Sequence, residues 1–179
     1  MNAMKKILAL ALAGVMALAL LTGCGTGGSA SHKSIAKAMA DYENGIDRKT
    51  TITFTSSAEL DAKLQSLAAS TGFETVVKAV YTGASLTIQT GVVPNDKVVY
   101  LYCGKYDKDA GKQAINLNAW GHSTCISTQN TALADERQIG LITTSFTDDT
   151  GKEVKVRFAV VVSCLLYTSP SPRDGATSR

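Results

Sequence analysis

Histidine and cysteine are scarce in this chain, and the scarcity excludes much chemistry. Two histidines (His32 and His122) and four cysteines (Cys24, Cys103, Cys125 and Cys164) stand among 179 residues. A structural zinc site takes four ligands. Cys103, His122 and Cys125 supply three, and His32 lies far away beside a Gly/Ser-rich stretch, so no metal and no cofactor are expected. The apolar run from Ile7 to Leu20 has 14 residues, short of the roughly 20 that a membrane-spanning helix needs. No long block of like charge, collagen period, Gln/Asn tract or internal repeat occurs, which excludes charged tails, fibres and repeat arrays.

What is present begins with a leader. Lys5 and Lys6 form a positive n-region before the apolar run, and Leu21-Thr22-Gly23-Cys24 follows it. This order resembles the lipobox-type signal peptide of bacterial lipoproteins. The resemblance covers residues 4–24 and implies that Cys24 carries a diacylglyceryl group and becomes the mature N-terminus after cleavage. Small Thr22 and Gly23 leave room for a peptidase, and the cysteine supplies the sulfur nucleophile for thioether formation. More than one acyl chain anchors stably where one is marginal. Residues 1–23 are then the signal peptide and residues 24–33 the lipidated cysteine with a flexible tether, Gly25 to Ser31. The Gly-x-Gly spacing in that tether follows no strand, so it is no dinucleotide fingerprint.

The other end is also unusual. Cys164 to Asp174 (CLLYTSPSPRD) resembles a translated sequencing adapter, and Thr177-Ser178-Arg179 fits a later segment of such adapters. Residues 163–179 are therefore set outside the domain, which is read as residues 34–162 and as truncated at its C-terminus.

Without leader and tail the charge changes. Of the 18 Lys and Arg, Lys5, Lys6, Arg173 and Arg179 drop out, leaving 14; of the 15 Asp and Glu, Asp174 drops out, leaving 14. The formal +3 vanishes, and a basic nucleic-acid-binding face has no support from net charge. With Cys24 lipidated and Cys164 in the tail, Cys103 and Cys125 remain as a disulfide candidate in an oxidising compartment, or as two reduced core cysteines.

Ser34–Asn44 has Ile35, Met39 and Tyr42 at helical spacing, with Gly45 placed as a cap. Thr50–Thr55 alternates as a half-buried strand. Ser56 to Glu59 has capping-box spacing, Leu60, Leu64 and Leu67 line one helical face, and Gly72 is expected to end that helix. Phe73–Tyr81 reads as a helix. Leu86–Thr90 and Lys97–Cys103 read as strands around a Pro94-Asn95-Asp96 turn. Asp107–Gly111 reads as a turn, Gln113–Trp120 as a strand with Ile115, Leu117 and Ala119 inward, and Thr131–Gln138 as a short helix. Leu141–Thr147 and Glu153–Val162 flank Asp148-Asp149-Thr150-Gly151, a hairpin signal. The expected fold is α+β, with N-terminal helices packed on a mostly antiparallel sheet ending in a β-hairpin.

Few residues suggest chemistry. Cys125 follows His122 by three positions, the minimum for a thiol and its base, but nothing around it matches a peptidase signature, and on an extended segment the two point apart. Asp149-Thr150-Gly151 matches the aspartic-peptidase triplet but occurs once, where that chemistry needs two carboxylates; a turn is the better reading. Asp107 to Gly111 lacks most ligands of a calcium loop. Tyr100, Tyr102 and Trp120 make an aromatic ligand platform if exposed and ordinary core if buried, the more usual fate of aromatics at strand spacing. The chain reads as a bacterial lipoprotein, membrane-bound through its lipid and facing outside the cytoplasm. Its domain is expected to be a non-enzymatic module for an extracellular ligand or protein. The alternative is a hydrolase of cell-wall or extracellular polymer, with its catalytic part missing or around His122 and Cys125.

Overall fold

The computed structural model describes residues 30–46, 51–84, 97–119, 123–125 and 135–164. Helix α1 (Ala30–Asn44) leads to strand β1 (Thr53–Ser56), helices α2 (Ala58–Ala68) and α3 (Phe73–Thr82) and strand β2 (Lys97–Lys105). Helix α4 (Ala110–Leu117) and strands β3 (Ser123–Cys125), β4 (Glu136–Thr147) and β5 (Glu153–Cys164) follow. The strands form one sheet in the order β1-β4-β5-β2-β3. The β1–β4 pair is parallel and the others antiparallel. The chain is thus α+β, and β4 and β5 form the expected hairpin. Its turn is closed by Asp148, whose carboxylate accepts from the N–H groups of Thr150 and Lys152 and from the Thr150 hydroxyl. Gly151 takes φ 81, which only glycine adopts at little cost.

The helices divide between the two faces of the sheet. Leu60, Leu64, Phe73, Val76, Val77 and Val80 of α2 and α3 pack on Val99, Leu101, Ile142, Phe158 and Val160. Ile35, Ala36 and Met39 of α1, with Ala114 and Leu117 of α4, pack on Tyr102, Ile139, Leu141, Ala159 and Val161. Successive strand residues face opposite ways, which explains why β5, uniformly apolar from Phe158 to Val162, is buried on both sides.

Several boundaries differ from expectation. Helix α1 begins at Ala30, so residues 30–33 are helical rather than tether. The α2 cap is Ser57, which accepts from the Leu60 N–H, while Ser56 ends β1. Helix α2 ends at Ala68, and Gly72, at φ 95, starts α3 instead of ending α2. Residues 136–138 are strand rather than helix. Strand β5 runs on through Ser163, paired with Val98, and Cys164, paired with Lys97, two residues past the expected end. The strand Leu86–Thr90, the turn at Pro94 and residues 131–134 lie outside the described residues.

The largest correction is α4. Residues 113–117 are helical, burying Gln113, Ala114 and Leu117 and leaving Ile115 55% exposed. One local feature and two tertiary ones favour the helix. Asp109 caps it by accepting from the Lys112 N–H at 2.8 Å, and Gln113 and Asn116 donate to the Lys105 carbonyl. Gly104 lets the helix lie against β2, since a Cβ there would overlap the backbone of Asn116 and Leu117.

At the sheet's edge, β1 covers β4 only up to Ile139. Beyond it, Asp61 accepts from the Leu141 N–H at 2.7 Å and Glu74 from the Thr147 N–H at 2.8 Å. Two carboxylates on helices thus occupy edge groups that would otherwise be open to another strand.

Candidate functional site

The residues singled out in the sequence do not converge. Cys24, Trp120 and His122 lie outside the described residues. Cys103 is a free thiol buried in the α2/α3-side core, and burial pushes its pKa up to about 12. Cys125 stands opposite Tyr100, not Cys103. Three positions along a neighbouring strand is about 10 Å, beyond the roughly 7 Å between Cα atoms that a disulfide spans. The Cys103–Cys125 bond is therefore not formed.

Tyr100 and Tyr102 do share a face, with ring centroids 6.2 Å apart. That face lies beneath α1 and α4, where Tyr102 is 6% exposed and Tyr100 half-buried. Their neighbourhood is core rather than an open platform. The reason is α4, which occupies the space that an extended Gln113–Trp120 would have left free.

A different cluster stands further along the same face. Arg157 and Lys155 alternate in β5 with Val156 and Phe158, so both cations point away from the α2/α3 core. Thr143 is opposite Arg157 and Ser145 is opposite Lys155 on β4. On the other side Arg157 meets Gly104, which presents no side chain. Tyr106 forms a wall: the Lys155 ammonium lies 4.3 Å and the Arg157 guanidinium carbon 5.3 Å from its ring centre.

Arg157 is 7% exposed, and its buried Nε has no hydrogen-bond partner. Among the described residues neither Arg157 nor Lys155 has an ion-pair partner. The contrast with Arg137 is direct. That guanidinium is just as buried, yet it is paired with Glu43 at 2.8 Å and lies over Phe54. Burial lowers the pKa of Arg157, against the opposing pull of Tyr106 and Asp61. Asp61 acts only through space, because its oxygens hold His32 Nδ1 at 2.7 Å and the Leu141 N–H.

Comparison with known proteins finds no matching family model, no matching curated protein and no matching solved structure.

What the cluster can do therefore follows from its own side chains. A guanidinium and an ammonium on one sheet face, bordered by two hydroxyl residues, suit an anion. A guanidinium offers paired N–H donors in a fixed fork, and an ammonium adds a compact charge. The signal was present in the sequence as Lys155-Val156-Arg157-Phe158, two cations at strand spacing amid apolar residues. Net charge, balanced over the domain, does not reveal such a local excess.

Proposed function

We propose that this chain is the precursor of a bacterial lipoprotein, held outside the cytoplasm by a lipid on Cys24, whose folded part is a non-enzymatic binding module. The observation that carries the anchor is the succession of residues in the sequence: Lys5 and Lys6, the apolar run Ile7–Leu20, then Leu21-Thr22-Gly23-Cys24. Five residues, 25–29, separate Cys24 from the first residue of α1. Fully extended they span about 17 Å, so an anchored module would stand close to the bilayer surface. Among the described residues no helix is long and apolar enough to cross a membrane.

The binding role is supported by Arg157, a buried cation without a counter-ion among the described residues. Leaving a charge buried and unpaired costs several kcal/mol, and retaining one is reasonable where a ligand completes it. Labelling of expressing cells with a fatty-acid analogue tests the anchor. The wild-type chain should take the label and partition with membranes, and Cys24→Ala should lose both. Retention of both by Cys24→Ala would rule the lipoprotein reading out.

A further inference from the structure

The position of the cation cluster relative to the tether narrows its ligand. Helix α1 runs antiparallel to β4. Near its C-terminal end Glu43 meets Arg137, and near its N-terminal end His32 reaches Asp61 beside Leu141. The Thr143–Arg157 and Ser145–Lys155 pairs follow directly along the sheet from Leu141. The first turn of α1, and with it the chain arriving from Cys24, is therefore at the end of the fold that carries the cations.

The cluster gathers donors of the kind that an oxyanion accepts from. Side chains of directly opposed strand residues lie about 5 Å apart and those two residues apart on one strand about 7 Å. Arg157, Lys155, Thr143 and Ser145 are thus immediate neighbours on one sheet face, close enough for their donors to reach one tetrahedral anion together. Gly104, with the backbone of α4 lying over it, puts no side chain beside Arg157, and Tyr106 lies against both cations. Among the described residues no carboxylate stands between the two like charges on this ring, an arrangement that an anion relieves. The carboxylate nearest by its influence, Asp61, is already occupied by His32 and Leu141.

We infer that Arg157 and Lys155, bordered by Thr143 and Ser145 and walled by Tyr106, bind a phosphate group at the tether end of the fold. This rests on the binding-module reading and gives it a ligand class. The phosphate can belong to a soluble ligand or to the headgroup of an anionic lipid in the membrane that holds the anchor, since both present the same oxyanion.

The experiment uses the full chain carrying Cys24→Ala, so that no lipid anchor contributes. Thermal unfolding is followed in inorganic phosphate and in sodium chloride of equal ionic strength. Phosphate should raise Tm by a few degrees over chloride, as expected of a ligand that binds only the folded state. Arg157→Gln should abolish the rise, and Lys155→Ala should weaken half-saturation at least about threefold, as the loss of a charged contact implies. Lys155 is exposed, so that variant decides the matter if Arg157→Gln does not fold. The second arm measures sedimentation with vesicles of phosphatidylglycerol and phosphatidylcholine against phosphatidylcholine alone. Excess binding to the anionic vesicles that Lys155→Ala reduces identifies a lipid headgroup, and a phosphate effect without it identifies a soluble ligand. No phosphate-specific rise together with no Lys155-dependent vesicle binding would overturn the proposal. Fatty-acid labelling of Cys24 would be unaffected by that result, so the two failures are distinguishable.

Discussion

Cys103 shows what burial does to a single residue. A thiol at 0% exposure among Val99, Leu101 and Phe158 has no partner for its ionised form, and its pKa rises from 9.0 to about 12. The sign of the linked stability follows. The unfolded chain releases this proton near pH 9 and the folded chain only near 12, so the unfolded state binds fewer protons in between. Stability is whole below about pH 9 and falls as pH rises towards 12, by at most about 4 kcal/mol from this group. Urea unfolding at a series of alkaline pH values should show a steeper loss for the wild type than for Cys103→Ala. Equal slopes in the two proteins would mean that the thiol is hydrated in the folded state.

At the scale of the element, α4 shows where periodicity alone misleads. Ile115, Leu117 and Ala119 alternate as a strand would, while Gln113, Ala114 and Leu117 fit one helical face equally well. In eight residues neither pattern dominates, and an isolated helix of that length is marginal in water. The decision falls to the Asp109 cap and to packing over Gly104. Asp109→Ala should therefore lower stability by about 1 kcal/mol in urea unfolding, with Asp109→Asn close to wild type. An unchanged midpoint for the alanine variant would show that packing alone holds the helix.

In the whole molecule, the two helical layers meet around the free edge of β4. His32 belongs to α1 on one face of the sheet and Asp61 to α2 on the other, and their 2.7 Å pair closes over the point where β1 stops. Asp61 also satisfies the Leu141 N–H. Removing this carboxylate strands a half-buried donor and separates the layers, so Asp61→Ala should cost about 2–3 kcal/mol. Asp61→Asn keeps an acceptor for Leu141 and should cost about 1 kcal/mol or less. Chemical unfolding of both variants checks the order, and equal losses would show that charge, not the amide acceptor, holds the edge.

The sequence by itself determined the local elements whose signals are strong and short in range. The Leu60-Leu64 stripe and the Phe73-Val76-Val77-Val80 stripe both became buried helix faces, and the Asp148–Gly151 turn between apolar strands became the β4–β5 hairpin. Each depends on neighbours within a few residues, where spacing is sufficient. The tertiary structure decided which surfaces those elements share. The helices lie on both faces of the sheet, Tyr102 lies beneath α1 and α4, and Cys125 aligns with Tyr100 rather than Cys103. It also placed Arg157 between Thr143 and Gly104, partners 14 and 53 positions away in the chain. Alternation marked Arg157 as facing away from the apolar side. Its burial, without a counter-ion among the described residues, depends on strand register and on what the neighbouring strands present, and neither is written in the spacing of nearby residues.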